Sequence, residues 1–333
     1  MSKRDLLSAH DLSAENLESL LEHAGRMKGR KPGNLLTGKT LGLLFFDRSL
    51  RTRVSFEVAM VQLGGHCINI AADREMYDLE PAEQVVMDGR AEEHVKDAAR
   101  TLSRYIDVLG IRQISKGTSW ERDRQDLLLK SYARHATIPV INLESAMEHP
   151  CQAIADVFTM RERLHRLRGK KLTLAWCNHP EQKSPGGSHS VLLLAATLGM
   201  DITLAHPLGF ELDDEVLQKS KARAAQSGGQ MQICNDLVEG ARGAEVVYAR
   251  SWASLKNWGD PERESMQKRA LQSWIIDERL MSGTKEALLM HPLPVRRNVV
   301  ATDAVLDGKN SVIYDQAENR VHVQKALLTE LLR

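Results

Sequence analysis

The sequence predicts an α/β protein built from two doubly wound parallel-sheet domains. A chain of 333 residues is too long for one ordinary core and fits two domains of about 150 residues each. Short apolar runs alternate with longer amphipathic segments along both halves. Continuous apolar runs are typical of strands that are buried on both faces, which favours parallel sheets covered by helices.

The elements follow in order from these patterns. A first helix begins after Ser13 and has an apolar stripe formed by Leu17, Leu20, Leu21 and Ala24. The apolar runs that predict strands in the first half are Leu41 to Phe46, Cys67 to Ala71, Val108 to Arg112 and Pro139 to Leu143. Those in the second half are Leu172 to Trp176, Ile202 to His206, Met231 to Cys234, Val246 to Arg250 and Ala287 to Met290.

The domain limits are predicted from the longer helices. Residues 1–148 form the first domain, and residues 149–305 form the second, which opens with a bridging helix from His149 to Leu167. Residues 306–333 form a C-terminal segment whose helix is expected to pack back on the first domain. Asn178 to Ser188 is rich in turn formers and is expected to be the most mobile loop.

Composition excludes several classes of function. With 45 basic and 44 acidic residues the net charge is +1, which provides no broad field for binding nucleic acid or an anionic membrane. No apolar stretch of roughly 18 residues occurs, so a soluble cytoplasmic protein is expected. The cysteines are scattered and favour buried thiols in a reducing compartment; they are Cys67, Cys151, Cys177 and Cys234.

One junction between a strand and a helix predicts an anion site. The run from Phe45 to Glu57 places Ser49, Arg51 and Thr52 where an apolar strand leads into a helix. The N–H groups of a first helical turn have no partner within the helix and lie at the positive end of its dipole, so they bind phosphate readily. The ordinary alternative is a solvated helix start whose arginines pair with acids.

Three further polar clusters follow strands. They are Gly110-Ile111-Arg112, His149-Pro150-Cys151-Gln152 and His291-Pro292-Leu293-Pro294-Val295-Arg296-Arg297. Taken singly, they are compatible with a surface ion pair, a helix cap and a loop. Cys151 could also be a reactive nucleophile, but no partner base is apparent in the sequence.

Together, in this order, these clusters resemble the aspartate and ornithine carbamoyltransferase superfamily. Its signatures Ser-x-Arg-Thr-Arg, His-Pro-x-Gln and His-x-Leu-Pro match Ser49–Arg53, His149–Gln152 and His291–Pro294. The resemblance implies a carbamoyl phosphate site formed by Ser49, Leu50, Arg51, Thr52, Tyr77, Arg112, His149, Gln152, Leu293 and Arg320.

The chemistry implied by this resemblance requires no metal, cofactor or covalent nucleophile. An amine attacks the carbamoyl carbon, and negative charge develops on the carbonyl oxygen. Thr52, Arg112 and His149 are hydrogen-bond donors of the kind that would stabilise this charge, so they are the predicted catalytic residues. Binding two substrates side by side removes the entropic cost of their meeting.

The sequence Arg250-Ser251-Trp252-Ala253 resembles the branch of the superfamily that carbamoylates N-acylated ornithine. This implies transfer to the δ-amine of N-acetylornithine in arginine biosynthesis. The implied amino-acid-binding residues are Glu92, Glu144, Trp176, Arg250, His291, Pro292, Leu293 and Arg296.

Glu92 is expected to reach the acyl tail from a neighbouring subunit and to repel the extra carboxylate of a succinyl group. The alternative is an acidic residue in the first turn of a helix. Val300, Arg250 and Tyr77 depart from the pattern of this branch and leave a succinyl group, or a different amine, open.

The resemblance further implies a homotrimer with shared active sites, an active site in a cleft between the domains, and a knot near residues 178–188 of the second domain. Two other functions compete with this interpretation. A nicotinamide-dependent dehydrogenase is disfavoured because no GxGxxG turn follows a strand. A catalytically silent protein that binds carbamoyl phosphate is disfavoured by intact Arg51, Arg112 and His149.

Overall fold

The computed structural model describes residues 3–29, 33–114 and 117–332. These residues form two compact units. Unit 1 contains the described residues of Met1–Lys116, Glu121–Cys151 and Arg320–Arg333, and unit 2 contains those of Gly117–Trp120 and Gln152–Asn319. None of the helices in the described ranges has the length and apolar character needed to cross a membrane.

Helices and strands alternate along the chain. Up to Glu144 they are α1 Ala14–Gly29, β1 Thr40–Phe45, α2 Arg51–Gln62, β2 His66–Ala71, α3 Ala72–Glu75, β3 Leu79–Glu80, β4 Glu93–His94, α4 Val95–Tyr105, β5 Val108–Arg112, α5 Trp120–Asp123, α6 Leu127–His135 and β6 Val140–Glu144. From Pro150 they are α7 Pro150–Leu164, β7 Lys171–Trp176, α8 Gly186–Thr197, β8 Asp201–Ala205, α9 Asp214–Ser227, β9 Met231–Cys234, α10 Leu237–Ala241, β10 Val246–Arg250, α11 Pro261–Lys268, α12 Glu278–Ser282, β11 Leu288–Met290, α13 Asp303–Leu306 and α14 Ile313–Leu332.

Unit 1 contains a four-stranded parallel sheet in the order β2-β1-β5-β6. The predicted strands are confirmed, with ends displaced by at most one residue. β1 shows why the apolar runs are informative, since Leu41, Leu43 and Leu44 have no exposed surface. The predicted first helix is α1, in which the Ser13 hydroxyl accepts a hydrogen bond from the N–H of Asn16 at 3.1 Å.

Unit 2 contains a five-stranded parallel sheet in the order β11-β10-β7-β8-β9. Its predicted strands are likewise confirmed. Helix α8 packs against both β7 and β8 and is buried along its whole length. The α/β fold with parallel sheets covered by helices therefore matches the prediction in both units.

The turn-rich sequence of residues 178–188 predicts one loop, but the structure differs from this prediction. Helix α8 already begins at Gly186, and Ser184 to Ser190 are buried. The Ser184 hydroxyl accepts a hydrogen bond from the N–H of Gly186 at 3.1 Å. A Cβ at position 187 would lie 3.3 Å from the guanidinium of Arg250, so the glycines that resemble a turn allow close packing at a buried helix start.

Two of the divisions between the units lie within long helices. One lies between Cys151 and Gln152 inside α7, and another lies between Asn319 and Arg320 inside α14; the short segment Gly117–Trp120 is also grouped with unit 2. The sequence placed these limits at residues 148 and 305. A helix that continues from one unit into the next keeps its periodicity, so the sequence gives no signal at the division.

The part of α14 that belongs to unit 1 is hydrogen-bonded to α2, the helix that begins at the predicted anion site. Arg320 donates a hydrogen bond to the Thr52 hydroxyl at 3.0 Å, at the first turn of α2. The amine of Lys325 donates to the carbonyl of Met27 at 3.0 Å and to the side chain of Gln62 at 3.1 Å. Burial lowers the pKa of Lys325. Two contacts from one helix therefore hold both ends of α2.

Candidate active site

The sheet of unit 1 reverses its winding between β1 and β5. From β1 the chain adds β2 on one side and later adds β5 on the other side. Ligands of open α/β sheets bind at such a switch point, beyond the carboxyl ends of the strands. Residues 46–50 follow β1 there, and Arg112 ends β5 directly opposite Phe45. The fold thus places the first signature and Arg112 at the same edge of the sheet.

The beginning of α2 has features of an anion site. Its N-cap residue is Leu50, whose side chain has no oxygen with which to cap the helix. The first turn contains Arg51 and Arg53 but no acidic residue, although cations are unfavourable at this end of a helix dipole. The Arg53 guanidinium lies 4.3 Å from the ring centre of Phe45. The first turn therefore lacks the negative charge that normally stabilises it, and a bound anion would supply that charge.

The arginines of this site repel one another. Burial lowers the pKa of Arg51, and the nearby charge of Arg112 lowers it further. Burial raises the pKa of Asp47, whose carboxylate accepts a hydrogen bond from the N–H of Ile114 at 2.6 Å. An anion between the arginines would relieve their repulsion, so the charges favour a negatively charged ligand.

Arg112 and His149 converge on Glu144. Arg112 is hydrogen-bonded to Oε2 of Glu144, and Nε2 of His149 lies 3.4 Å from the same oxygen. The register between β5 and β6 shifts at Ile111/Arg112, which redirects the Arg112 side chain. His149 immediately precedes Pro150, the first residue of α7. The sequence assigned Glu144 to the amino-acid substrate, whereas in the structure it lies among the residues predicted to bind carbamoyl phosphate.

Thr52 and Arg320 form a second polar contact of unit 1. Thr52 is buried in the first turn of α2, where its hydroxyl accepts the hydrogen bond from Arg320. Ser49 is half-buried one residue before the N-cap. The structure therefore brings together hydroxyl and guanidinium groups that are far apart in the sequence.

Cys151 is unsuited to nucleophilic chemistry. Its thiol is buried and donates to the carbonyl oxygen of Asn142 at 3.7 Å. Burial raises the pKa of the thiol to about 12. A thiolate is the reactive form of cysteine, so this pKa disfavours the nucleophilic role that the sequence had left open.

Tyr77 and Glu92 lie apart from these buried groups. Tyr77 is 66% exposed, and Glu92 is also exposed. Glu92 precedes β4 and lies outside the first turn of α4, so it is not the helix-start acid of the alternative interpretation. Its N–H donates to the carbonyl of Asp78 at 3.2 Å. The two side chains that the resemblance assigned to substrate binding are thus on the surface of unit 1.

The sheet of unit 2 has its own switch point, between β7 and β10. Trp176 ends β7 and lies opposite Arg250, which ends β10. Trp176 is fully buried, and its indole N–H donates to the carbonyl of Trp252 at 2.8 Å. Its ring lies 4.6 Å from that of Phe210. Trp176, a predicted substrate-binding residue, therefore lies in the core of unit 2, beneath the strand ends.

Arg296 contacts His179, a residue to which the sequence assigns no role in substrate binding. The Nε of Arg296 donates to Nε2 of His179 at 3.1 Å, and Glu181 lies 2.9 Å from the same guanidinium. Burial, followed by the charges of Lys183 and Arg296, lowers the pKa of His179 to about 4. His179 is therefore neutral and can accept the hydrogen bond. Its place just beyond the end of β7 is the signal by which the sequence could have identified it.

The residues of the third signature follow β11. His291 and Pro292 are buried, and Leu293 is half-buried. The N–H of His291 donates to the side chain of Gln316 at 3.0 Å. Gln316 also donates to Asp156 at 2.7 Å. This fixes the backbone where the signature begins.

Gln152 joins the same buried network. Its side chain donates to Oδ1 of Asp156 at 2.7 Å, and the Tyr248 hydroxyl donates to Oδ2 at 2.7 Å. Asp156 has no exposed surface. Asp156 cannot be singled out from the sequence, because a carboxylate within an apolar helix has no local pattern that identifies its partners.

Comparison with known families accounts for both units. The family described as "Aspartate/ornithine carbamoyltransferase, carbamoyl-P binding domain" matches residues 4–162. The family described as "Aspartate/ornithine carbamoyltransferase, Asp/Orn binding domain" matches residues 172–331. Together these matches cover most of the chain.

Individual proteins give the same result. An N-acetylornithine carbamoyltransferase of Xanthomonas campestris pv. campestris is 41% identical over 335 residues, which cover 100% of this chain and 98% of the relative. An ornithine carbamoyltransferase of Methanopyrus kandleri is 40% identical over 338 residues, which cover 100% of this chain and 98% of the relative. Similarity to both kinds of enzyme means that overall identity alone does not select the amine.

A solved structure agrees in fold as well as in sequence. A crystal structure of acetylornithine transcarbamylase complexed with acetylcitrulline has a TM-score of 0.97 and 40% identity, and the match covers 99% of each chain. The similarity thus extends over both parallel sheets and all three signatures. The protein belongs to the aspartate/ornithine carbamoyltransferase family.

Proposed function

We propose that this enzyme transfers the carbamoyl group of carbamoyl phosphate to the δ-amine of N-acetylornithine. The products are N-acetylcitrulline and phosphate, and the reaction serves arginine biosynthesis in the cytoplasm. The observation that carries the proposal is the pair formed by Arg51, at the start of α2, and Arg112, at the end of β5, whose burial and mutual repulsion favour an anionic ligand. The similarity to N-acetylornithine carbamoyltransferases supports it.

The phosphate group of carbamoyl phosphate would bind at the first turn of α2. Its oxygens would accept hydrogen bonds from main-chain N–H groups of that turn and from the hydroxyls of Ser49 and Thr52. Arg51 would neutralise part of the charge. Arg320, which already donates to Thr52, would hold that hydroxyl in place.

The carbamoyl group would be activated by Arg112, His149 and Thr52. As the amine nitrogen forms a bond to the carbamoyl carbon, negative charge develops on the carbonyl oxygen, and hydrogen bonds from these residues would stabilise it. The bond from the carbon to the phosphate oxygen then breaks, and phosphate leaves. Glu144 would keep Arg112 and His149 in position through the contacts they already make with it.

The amine must lose a proton during the reaction. An alkylammonium group has a pKa of about 10.4, so most of the free substrate is protonated near neutral pH. The departing phosphate would accept this proton, which leaves atoms and charge balanced without a separate protein base. The reaction therefore depends chiefly on positioning and electrostatics.

Unit 2 would supply the residues that bind the amino acid. Arg250 lies at the end of β10 and Arg296 lies in the loop that follows β11, and guanidinium groups suit the carboxylate of an acylated ornithine. His291 to Leu293 would form the wall beside them. Trp176 would act from the core, by supporting the ends of β7 and β10, since its indole N–H is already bonded to Trp252.

Glu92 would select the acyl group. A carboxylate facing the tail repels a succinyl carboxylate and tolerates a neutral acetyl group. Relatives support such a role for a glutamate: an alanine substitution and a proline substitution of one glutamate in N-acetyl-L-ornithine transcarbamylase were crystallised with carbamyl phosphate and N-succinyl-L-norvaline. Transfer to N-succinylornithine is the competing candidate, because Val300 lacks the cation expected in the acetyl-specific branch.

One set of assays tests the substrate. We expect the highest kcat/KM with N-acetylornithine among ornithine, N-acetylornithine, N-succinylornithine and aspartate. Glu92→Pro should shift preference towards N-succinylornithine, and Glu92→Gln, which keeps the shape but removes the charge, separates repulsion from packing. If the wild-type enzyme prefers free ornithine, the proposal that Glu92 selects the acyl group is wrong. Absence of a carbamoylated product with every amine would instead support a silent protein that binds carbamoyl phosphate.

A homotrimer with shared active sites is also part of the proposal. Tyr77 and Glu92 are exposed on unit 1, as expected for side chains that serve a neighbouring subunit. The same unit exposes apolar side chains that would otherwise face water; they include Leu50, Val54, Val61, Ile68 and Val86. A knot in the second domain, implied by the resemblance, also belongs to this proposal, and a continuous experimental chain trace tests it.

Mixed oligomers test the sharing of sites. Arg51→Ala and Tyr77→Ala variants should each be impaired, and mixing them under conditions of subunit exchange should restore part of the activity. The matched control is a mixture of Arg51→Ala and His149→Ala, whose side chains would serve the pocket of their own subunit and should not complement. Sedimentation velocity should give the mass of a trimer. A fully active monomer would contradict the proposal.

A further inference from the structure

The loop that leads into His149 is closed by one hydroxyl group. Residues 145–148 connect β6 to α7, and the N–H of Ser145 donates to the carbonyl of Glu148 at 2.8 Å. The Ser145 hydroxyl accepts hydrogen bonds from the side chain of Asn142 at 3.0 Å and from the N–H of Glu148 at 3.2 Å. It lies 2.6 Å from Oδ2 of Asp126, to which it donates. The loop shape thus depends on where Ser145 is held.

Asp126 holds the loop from outside. Its Oδ2 accepts the Ser145 hydroxyl, and its Oδ1 accepts the N–H of Ala146 at 3.1 Å. Both carboxylate oxygens are therefore used by consecutive residues of the loop. This contact joins parts of the chain that are 19 and 20 residues apart, so it is not a local turn.

The backbone at Asp126 is unusual. It is the N-cap residue of α6, but its side chain does not cap that helix. Its φ is 47° and its ψ is 43°, which is the left-handed region that few residues other than glycine adopt. Such a conformation is energetically unfavourable and persists where surrounding contacts enforce it. Here the conformation directs the carboxylate towards the loop instead of towards its own helix.

A second contact holds the other end of the loop. Glu148 accepts hydrogen bonds from the Ser8 hydroxyl at 2.9 Å and from the N–H of Ala9 at 3.3 Å. The residue that directly precedes His149 is therefore attached to the N-terminal segment. With Asp126 at the start of the loop and Ser8 at its end, the backbone that leads to His149 is fixed on both sides.

We propose that Asp126 is a positioning residue for carbamoyl transfer, which fixes the loop that presents His149. This inference rests on the proposed function and adds a residue to it. Asp126 contacts Ser145 and Ala146, whereas the phosphate contacts proposed above come from α2. Its loss should therefore reduce kcat, which depends on the placement of His149, much more than it weakens the binding of carbamoyl phosphate.

The first test is kinetic. Asp126→Ala should lower kcat by about ten- to hundredfold, because small misplacements of catalytic groups have effects of this size. The KM for carbamoyl phosphate should change by no more than about twofold. Asp126→Asn should retain much of the rate, because asparagine tolerates the left-handed region and its amide oxygen can accept a hydrogen bond.

Ser145→Ala tests the connection itself. It should resemble Asp126→Ala, and the double variant should be little worse than either single variant, since both remove the same link. If Asp126→Ala does not fold, Ser145→Ala and Asp126→Asn still measure the effect. Strictly additive losses would overturn the proposal.

The pH profile provides a readout that a purely structural role would not give. Burial raises the pKa of Asp126 to about 6, while hydrogen bonds from Ser145 and Ala146 and the charge of Lys130 oppose the rise. Below that pH the carboxyl group is protonated and accepts fewer hydrogen bonds. The wild-type kcat should therefore fall below pH of about 6 more steeply than that of Asp126→Asn. Superimposable profiles would overturn the proposal.

Asp107→Ala is the matched control. Asp107 also accepts a main-chain hydrogen bond, from Thr40 at 2.9 Å, but it lies before β5, at the opposite end of the strand from Arg112. Its loss should lower the unfolding midpoint and leave kcat unchanged. If both variants reduce kcat in proportion to lost stability, Asp126 is merely structural and the inference is wrong. An inactive wild-type enzyme would instead refute the proposed function, so the two failures are distinguishable.

Discussion

The candidate site residues of unit 1 and those of unit 2 differ in how firmly their charged groups are held. In unit 1 the side chains of Arg112 and Glu144 are only 11% and 8% exposed, and both lie at strand ends. In unit 2 the side chains of Arg296 and Glu181 are 47% and 57% exposed and lie on loops. The first arrangement suits a substrate common to the whole family, and the second suits the substrate that differs between its members.

This comparison agrees with the similarities to known proteins. Relatives named for N-acetylornithine and for ornithine share about the same identity with this chain, 41% and 40%. Substitution of a buried charged residue at a strand end is strongly destabilising. Removal of one partner of the ion pair leaves the other charge uncompensated in the protein interior. Exposed loop residues can change at small cost in stability. Substitutions in the two units should therefore have different consequences.

The largest effect is expected from Arg51→Ala in unit 1. Loss of this guanidinium removes a principal charge from the anion site, so kcat/KM for carbamoyl phosphate should fall by about a thousandfold. Arg104→Ala, which removes an exposed arginine in the last turn of α4, is the control and should be nearly neutral. Retained affinity for carbamoyl phosphate in Arg51→Ala would remove the basis for assigning the phosphate to unit 1.

A buried ion pair in unit 2 should affect stability rather than catalysis. Glu264 and Lys268 are paired within α11 with side chains 1% and 5% exposed. Glu264 also accepts a hydrogen bond from Gln182 at 2.8 Å. Glu264→Gln should lower the free energy of unfolding by about 3 kcal/mol, because Lys268 is left without its counter-charge.

Urea unfolding checks this expectation. Glu262→Gln removes an exposed carboxylate from the same helix and should change stability by less than about 0.5 kcal/mol. Equal stabilities for the two variants would mean that the buried pair contributes nothing to the fold of unit 2.

Arg296→Ala should separate the two substrates. Since this arginine is half-exposed, its removal should leave the unfolding midpoint nearly unchanged. The KM for N-acetylornithine should rise by about tenfold, while that for carbamoyl phosphate should stay the same. Arg297→Ala is a close control, because that guanidinium is bound by Asp303 and Asp307 on the surface. A larger effect on carbamoyl phosphate would reverse the assignment of substrates to the units.

The smallest effect concerns pH. The pKa of His179 is lowered to about 4, so the unfolded chain binds a proton between pH of about 6.5 and 4 that the folded protein does not bind. Stability should fall as the pH decreases through this window, by roughly 1 kcal/mol after allowance for solvent screening. The fall should be smaller in His179→Asn. Identical slopes for the two proteins would show that His179 is not held in its neutral form.

The strands could be predicted from the sequence because each is a continuous apolar run, as in Val108 to Arg112. The signatures were informative for a related reason. They follow strands, and in each parallel sheet the carboxyl ends of the strands lie at the same edge. The prediction of a loop at Gly186 and Gly187 was wrong. Glycine is common in turns, but here it permits a tightly packed helix start. Local pattern thus gave the elements and their order.

The partners of polar side chains could not be predicted. Arg320 contacts Thr52 across 268 residues of sequence, and Gln316 contacts Asp156 across 160. Glu144 is assigned to the amino acid by the resemblance, and nothing near it in the sequence indicates that Arg112 lies beside it. Trp176 is assigned to the substrate by the resemblance, and the sequence alone does not predict that its side chain is buried in the core. These choices depend on tertiary packing.

The hydrogen bonds from α14 to α2 affect the order in which the protein can fold during synthesis. Arg320 and Lys325 follow the whole of unit 2 in the sequence, yet they secure the first and last turns of the helix proposed to bind phosphate. On the ribosome, α2 is synthesised more than 250 residues before Arg320, since Thr52 and Arg320 are 268 residues apart. The hydrogen bonds that hold the proposed phosphate-binding helix can therefore form only after the whole of unit 2 has been synthesised.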